Sequence, residues 1–296
     1  MNEYVPAVVA GLIMGTIARV FMLRSDYRQF PGYPHGYVTH LGLGVIAAGL
    51  GAVAVPALME QEFAAVTFLA LAAQQFRDIR NMERESLAEL EELALVPRGK
   101  DYIEGIARVF ESRNYLVMFT ALMTSLVTFY TEWYYGILAA ILVIYGNNFL
   151  MKGKVVGEIA DIVPCKLHFK GALLMVDNIV IMNVGLTESR EKILKEGLGV
   201  LIKPKDDDAR ATLNSIGQRQ AILQTAASLI GSKKEVGELD WTPLARKDID
   251  TGKIGLYILP NEPDIHPLIE AIKMTPVLES SKVNPLQAGP GRRAAD

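Results

Sequence analysis

Cysteine and enzyme motifs are what this chain has least of. Its 296 residues include one cysteine, Cys165, so an intrachain disulfide is excluded and the fold does not depend on an oxidising compartment. No GxSxG, HExxH, P-loop or GxGxxG pattern occurs, so the best-known signatures of hydrolases, zinc proteases and nucleotide-binding enzymes are missing. The net charge of −3 argues against a general nucleic-acid binder, which is normally basic.

Basic residues are also missing from the N-terminus. No Lys or Arg precedes the first apolar run, which begins at Val5. A cleavable signal peptide needs a positively charged region before its apolar core. We therefore interpret the first apolar run as a retained membrane anchor.

Long apolar runs dominate the first half of the chain, and mean hydropathy is +0.22 overall. The runs are residues 5–23, 37–59, 63–76, 115–130 and 134–150. A helix of about 20 apolar residues crosses the ~30 Å hydrocarbon core of a bilayer, and residues 63–76 are short for this. The sequence therefore predicts an α-helical transmembrane bundle of four or five helices, followed by a small cytoplasmic α+β domain.

The predicted organisation has five regions. These are N-terminal transmembrane segments (1–76), a cytoplasmic helix and loop (77–114), a transmembrane hairpin (115–151), a cytoplasmic α+β domain (152–278) and a disordered tail (279–296). In the α+β region short apolar runs alternate with turns, and the pair Asp177-Asn178 between two of them predicts a β-hairpin. The acidic start and the apolar spacing of residues 206–231 predict one helix.

Orientation follows from the basic residues. Residues 60–62 and 131–133 contain no Lys or Arg, whereas residues 77–114 contain seven and Lys152 and Lys154 follow the last apolar run. Basic residues concentrate on the cytoplasmic side of membrane proteins. This distribution predicts a multi-pass protein of the bacterial cell membrane with its C-terminal domain in the cytoplasm.

The most polar connection in the first half, residues 97–114, has the letters YIEGIA at its centre, residues 102–107. At this hexapeptide the chain resembles the YIEGIA family of bacterial membrane proteins from endospore formers, over about residues 4–275. The resemblance implies a polytopic membrane protein with a soluble C-terminal region and an association with sporulation. It implies no catalytic residues.

Within the hexapeptide, Glu104 is the only acid, and Gly105 permits an unusual backbone angle or a close contact. We predict that Tyr102, Glu104, Gly105 and Arg108 bind a protein partner. The alternative is structural, with Tyr102 and its isoleucines anchoring an amphipathic turn while Glu104 faces water.

Catalytic candidates are few. A Ser–Lys hydrolase needs only such a pair at ~3 Å, and the C-terminal region contains several serines and lysines. Glu104, Asp177 and Ser215 are therefore candidates for catalysis, without a motif behind them. On a strand, the spacing of Cys165 and His168 places the two side chains on opposite faces, which favours a structural cysteine.

Neither a metal site nor a cofactor is expected. His35 and His40 are five residues apart, whereas ligands on one helix face are spaced by three or four. The three acidic residues at positions 206–208 are expected to begin a helix and to interact favourably with the positive end of its dipole. Arg19 and Asn147 lie near predicted span ends, where we expect capping or snorkelling to the headgroups.

Two functions remain open. The first is a sporulation-associated membrane protein that acts as a cytoplasm-facing regulatory or scaffold platform for a cytoplasmic or membrane protein partner. The alternative is an enzyme, a membrane-anchored protease that cleaves soluble cytoplasmic (forespore) proteins. The lipid bilayer is an expected partner in both cases, nucleic acid is not, and glycine-rich helices are consistent with a homo-oligomer.

Overall fold

A computed structural model describes residues 4–26, 34–61, 63–151, 153–237 and 240–283. The chain forms two compact units. The helical unit comprises residues 1–86 and 106–152, and the α+β unit comprises residues 87–105 and 153–296. One boundary falls inside a helix, between Gly105 and Ile106.

In the residues that the structure describes, five helices precede the sheets. They are α1 (Val5–Asp26), α2 (Pro34–Met59), α3 (Phe63–Glu91), α4 (Lys100–Tyr130) and α5 (Trp133–Leu150). Inside the helical unit, α1 packs along α2 and also against α5.

The prediction of four or five transmembrane helices is wrong for the described residues. Two helices in them are long and apolar enough to cross a membrane, over Val5–Leu23 in α1 and Tyr37–Met59 in α2. The apolar run 63–76 is not a separate element, because α3 continues without a break to Glu91. The run 115–130 likewise belongs to α4, which starts in charged sequence at Lys100. The predicted α+β fold of the C-terminal region is present, with two antiparallel sheets.

Small residues let the helices of this unit approach closely. A Cβ atom at Gly15 would lie 2.7 Å from the Cβ of Ala48, and one at Gly11 would lie 2.8 Å from the carbonyl oxygen of Ala121. At Gly51 the backbone oxygen of Met118 would be only 2.1 Å away. Packing of glycine and alanine against neighbouring backbones is typical of helices that associate in lipid.

The helical unit has polar side chains inside and large apolar ones outside. Its buried polar residues are Arg19, His40, Arg113, Asn114, Thr120, Thr124, Ser125, Thr128 and Asn147. Its exposed apolar residues include Val9, Ile13 and Val20 of α1, Val38 and Ile46 of α2, and Leu138, Leu142 and Phe149 of α5. Water-soluble proteins seldom expose large contiguous apolar surfaces. This distribution is consistent with association with a membrane.

The described residues of the α+β unit form seven strands and five further helices. The strands are β1 (Ala160–Cys165), β2 (Leu167–Lys170), β3 (Leu173–Val176), β4 (Ile179–Asn183), β5 (Leu198–Pro204), β6 (Leu244–Lys247) and β7 (Ile254–Ile258). The helices are α6 (Val156–Ile159), α7 (Thr187–Glu196), α8 (Asp207–Leu213), α9 (Ile216–Ile230) and α10 (Ile265–Met274). One sheet has the order β1-β5-β7-β6, the other β2-β3-β4, and all pairs are antiparallel.

The four-stranded sheet lies between two cores. Alternate residues of β7, such as Leu256, face α9 and α10, whereas Tyr257 and Leu259 face β3, β4 and α7. This period-two alternation is what a strand buried on both faces requires. The predicted hairpin is confirmed, because Val176 pairs with Ile179 around Asp177-Asn178.

Candidate functional site

The YIEGIA hexapeptide lies in a helix and not in a loop. Helix α4 begins at Lys100, directly after Gly99, whose φ of +88° is in the left-handed region. Ile103, Ile106 and Ala107 are buried on one face of the helix. The polar composition of residues 97–114 suggested a loop, but these apolar side chains have the three-to-four-residue spacing of a helix.

The segment before the hexapeptide packs on α9 within the α+β unit. The side-chain amide of Gln220 donates to the carbonyl oxygen of Pro97 at 2.6 Å, and the ammonium group of Lys234 donates to that of Leu95 at 2.6 Å. Gly217 of α9 makes room for Asp101, since a Cβ atom there would be 2.0 Å from the Asp101 carboxylate. The segment is thus an integral part of the α+β unit.

Glu91 stabilises the connection between α3 and α4. Its carboxylate accepts hydrogen bonds from the backbone N–H groups of Arg98 and Gly99, and the Arg98 guanidinium lies 3.3 Å from its other oxygen. Bonds in which one partner is charged are the stronger kind. They fix the turn that leads into Tyr102.

Tyr102, one of the predicted partner-binding residues, is engaged within the chain. Its hydroxyl lies near the side chain of Thr225 on α9. Burial raises the pKa of Tyr102, while the positive charge of Arg98 and the Thr225 side chain act in the opposite direction. Tyr102 therefore lies against α9.

The other predicted partner-binding residues have different surroundings. Glu104 is half-buried, and Arg108 is exposed, as is Val109 beside it. Gly105 is helical, and a Cβ atom built on it would meet no described atom within 4 Å. Gly105, Arg108 and Val109 follow the i, i+3, i+4 spacing, which places them on one face of α4.

The structure does not assemble the predicted catalytic candidates. Ser215 caps the N-terminus of α9, where its oxygen accepts from the Gln218 N–H, and it receives a hydrogen bond of 2.9 Å from Ser281. Asp177 occupies the exposed β3–β4 turn with a left-handed φ of 54°. α9 and this hairpin pack on opposite faces of the four-stranded sheet, so the sheet separates Ser215 from Asp177.

Ser228 and Ser232 are likewise bonded to groups that are not bases. Ser228 is bonded to Gln224, and Ser232 accepts from a backbone N–H. In the part of the chain that the structure describes, no lysine ammonium or histidine ring bonds to any of these hydroxyls. The acid run predicted to complement a helix does so, because Asp206 caps α8 by accepting from the Ala209 N–H at 2.7 Å.

A groove of about 290 Å³ lies between α8 and the β6–β7 loop. Several of its polar groups are bonded to one another: Arg210 donates to the carbonyl oxygens of Ile249 and Asp250, and Lys247 to the Asn214 side chain. A hydrogen bond from Thr251 is the main cause that lowers the pKa of Asp248.

The described histidine and cysteine side chains are not grouped as metal ligands. Among the described residues, no three His, Cys, Asp or Glu side chains lie close enough together to hold a metal ion. The side chain of His35 lies outside the described residues, and His40 faces Arg19. Cys165 is half-buried at the end of β1, where its sulfur is 3.8 Å from the carbonyl oxygen of Lys166.

Sequence reasoning missed a polar cluster inside the helical unit. Arg19 does not snorkel to the surface: it is fully buried and contacts His40 and Phe110. Asn147 is buried too, and its amide donates to the Thr120 hydroxyl at 3.1 Å. The sequence feature that accompanies the buried Arg19 is Gly44 on the next helix. A Cβ atom at Gly44 would lie 2.3 Å from the Arg19 side chain, so glycine leaves the room that this side chain occupies.

Comparison with known proteins supports the family resemblance that the hexapeptide indicates. The family model for the YIEGIA protein matches residues 7–288. The chain is 44% identical over 281 residues to "Uncharacterized protein YphB" of Bacillus subtilis (strain 168), and the match covers 95% of each chain. No solved structure matches. The chain belongs to the YIEGIA protein family.

Proposed function

We propose that this chain is a membrane-anchored docking protein that presents one face of α4 to a protein partner in the cytoplasm of sporulating cells. The observation that carries the proposal is the open space over Gly105. A glycine inside a helix costs about 1 kcal/mol relative to alanine. The described residues make no use of the space that this glycine leaves. A partner that approaches the helix backbone closely would use it.

The rest of the docking face supports a partner of defined chemistry. Arg108 and Val109 are exposed one turn beyond Gly105, and they combine a positive charge with an apolar surface. A partner segment with a small or apolar side chain complements the space over Gly105 and the exposed Val109 side chain. Tyr102 contributes indirectly, since it lies near Thr225 of α9 at the start of α4.

Membrane anchoring is supported by α1 and α2. Both are long and apolar enough to cross a bilayer, and the helical unit carries its large apolar side chains outside. Lys and Arg are concentrated in residues 77–114 and recur at 152 and 154, which supports a cytoplasmic location for the α+β unit. Membership of a family that we associate with endospore formers supports the link to sporulation.

The protease alternative has less support from the geometry. Ser215 bonds to Ser281, Asp177 lies across the sheet from it, and Glu104 belongs to the α4 helix. No observation brings these groups to one reacting atom. We therefore give the docking function preference.

A crosslinking experiment in sporulating cells tests the docking function. A photoreactive amino acid at position 108 of the full-length chain is expected to capture one protein reproducibly. Replacing Gly105 by leucine fills the open space and is expected to lower the yield at least about tenfold, which corresponds to a loss of ~1.4 kcal/mol. The level and membrane localisation of the variant are expected to match those of the parent.

Gly146→Leu is the matched control, because Gly146 is also helical with no described atom near its Cβ position. It is expected to leave crosslinking at position 108 unchanged. Equal crosslinking yields with glycine and leucine at position 105 would contradict the docking function. Accumulation of specific cytoplasmic proteins, at unchanged message levels, in cells without the chain would support the protease instead.

A further inference from the structure

The three-stranded sheet β2-β3-β4 packs on the rest of the α+β unit through one of its two faces. That inner face consists of two rows of residues paired across the strands, Leu167–Val176–Ile179 and Phe169–Leu174–Met182. All of them belong to the core formed with Tyr257 and Leu259, or pack against it. Because side chains alternate along a strand, the remaining residues of the sheet lie on the opposite face.

This opposite face, which we call the outer face, also has two rows. They are His168–Met175–Val180 and Lys170–Leu173–Asn183. Residues paired on neighbouring strands have their side chains on the same side of a sheet. The exposed fractions agree, since Val180 is 44% and Leu173 36% exposed.

The outer face is more apolar than a face in contact with water. An antiparallel sheet with one side in water normally has apolar residues inside and polar residues outside. Here Met175, Val180 and Leu173 are three of the six residues in the two outer rows. Leu186, which follows β4 closely, adds an apolar side chain that is 69% exposed. Apolar surface of this kind marks an interaction site.

The charge of this region is positive. Residues 166–186 include two lysines, Lys166 and Lys170, and one acidic residue, Asp177. Both lysines are exposed, and their spacing along the strand places them on the side of His168. Asp177 lies in the turn between β3 and β4, outside the paired rows. Cations beside apolar side chains complement a membrane surface, where anionic headgroups cover an acyl region.

The connection to the helical unit favours lipid over a soluble protein as the partner of the outer face. The chain passes between the two units three times, at residues 86–87, 105–106 and 152–153. The helical unit contains α1 and α2, the proposed membrane anchors. Tethering raises the effective concentration of a surface at the membrane, so a contact too weak to recruit a free protein is sufficient.

We propose that the outer face of β2-β3-β4 binds the surface of a bilayer that contains anionic phospholipid. Leu173 and Val180 insert between the headgroups, and Lys166 and Lys170 lie beside the lipid phosphates. This inference rests on the membrane anchoring proposed above. It does not depend on the docking face of α4.

Fluorescence of the purified full-length chain in nanodiscs tests the contact. The chain carries Cys165→Ser and Val180→Cys, and the new thiol is labelled with a nitrobenzoxadiazole dye. In nanodiscs with phosphatidylglycerol, the emission is expected to shift to the blue and to be quenched by lipids with a doxyl group near the headgroup. Both effects are expected to be weaker in phosphatidylcholine alone. Incorporation of the chain into nanodiscs tests the anchoring separately.

Lys166→Gln combined with Lys170→Gln tests the role of charge. A lysine close to an anionic membrane contributes a factor of about five, so the ratio of bound to free label is expected to fall about twentyfold. Lys247→Gln combined with Lys282→Gln removes the same charge and is expected to have little effect. These two exposed lysines lie near α8, because Lys247 is bonded to Asn214 and Val283 to Thr212.

A label at Val236→Cys in the Cys165→Ser chain is the control for position. Val236 is 88% exposed in the same unit, and its label is expected to show neither the shift nor the quenching. Equal quenching at positions 180 and 236 overturns the proposal. So does quenching at position 180 that the loss of Lys166 and Lys170 leaves unchanged. A blue shift that appears in lipid-free micelles and grows with protein concentration also overturns it, because a second copy of the chain then covers the outer face.

Discussion

The side-chain amide of Gln220 on α9 donates a 2.6 Å hydrogen bond to the carbonyl oxygen of Pro97, 123 residues earlier in the chain. This bond joins a segment that follows α3 to the core of the α+β unit. Together with Lys234, which donates to the Leu95 carbonyl oxygen, it positions the segment before the YIEGIA helix on α9. Interactions so distant in sequence cannot be read from local pattern, yet they define where the hexapeptide lies.

Gly217→Ala is expected to destabilise the packing of this segment. Alanine normally stabilises a helix by up to about 1 kcal/mol relative to glycine. Here the new Cβ would lie 2.0 Å from a carboxylate oxygen and 2.7 Å from the Cβ of Asp101, so a net loss of about 1–2 kcal/mol is expected. Denaturant unfolding measures the loss, and hydrogen exchange of residues 91–100 is expected to become faster.

Gly105→Ala is the control for that substitution. It also places alanine in a helix, but with no described atom within 4 Å of the new methyl group. Its stability is expected to rise or stay unchanged. A Gly217→Ala protein as stable as Gly105→Ala would mean that Asp101 does not pack on α9.

Two glycines of α2 are expected to respond in opposite ways. A methyl group at Gly51 would lie 2.1 Å from the Met118 carbonyl oxygen, which is backbone and cannot swing aside. A methyl group at Gly49 would make an ordinary 3.9 Å contact with Leu12. Gly51→Ala is expected to cost about 2–3 kcal/mol, and Gly49→Ala to be neutral or stabilising. Unfolding in maltoside micelles compares them, and equal stabilities would refute the close α2–α4 packing.

Short features such as a two-residue turn were predicted from the sequence better than the bounds of long helices. The Asp177-Asn178 hairpin is confirmed because a two-residue turn between apolar strands is a local signal. The single helix predicted for residues 206–231 is two helices, since Ser215 begins α9 and accepts from the Gln218 N–H. The pattern Ser-x-x-Gln was the signal of that N-terminus.

Long-range contacts explain the remaining differences. Arg19 near the end of an apolar run suggested snorkelling, but Gly44 and His40 on the next helix provide a buried place for it. The apolar runs 63–76 and 115–130 are parts of longer helices and not elements of their own. In the structure, charged residues extend α3 and α4 well beyond those runs.

Alkaline pH is expected to destabilise the α+β unit through Tyr257. This residue is fully buried, and its hydroxyl donates to the Asp240 carbonyl oxygen at 3.3 Å. Burial raises its pKa in the folded state above the ordinary value of 10.0. Below pH 10 the phenol is protonated in both states, and above it only the unfolded chain loses the proton. Stability is therefore expected to fall by about 1.4 kcal/mol per pH unit from this group.

Tyr257→Phe isolates that contribution. It removes the ionisable group and one long hydrogen bond, at a cost of about 1 kcal/mol at neutral pH. Between pH 9 and pH 11 its free energy of unfolding is expected to decline less steeply than that of the wild type. Parallel profiles for the two proteins would show that Tyr257 ionises equally in the folded and unfolded states.

The single cysteine allows a direct test of the cytoplasmic location proposed for the α+β unit. Cys165 is half-buried at the end of β1. A membrane-impermeant maleimide is expected to leave it unlabelled in intact cells and to label it after permeabilisation. The Cys165→Ser chain provides the blank. A second variant adds Val236→Cys to the Cys165→Ser chain, at a position in the same unit that is 88% exposed. If this thiol also stays unlabelled in intact cells, slow reaction of a half-buried thiol is not the cause. Labelling of Val236→Cys in intact cells, as fast as in permeabilised ones, would place the unit outside the cytoplasm and with it the start of the docking face at Gly105.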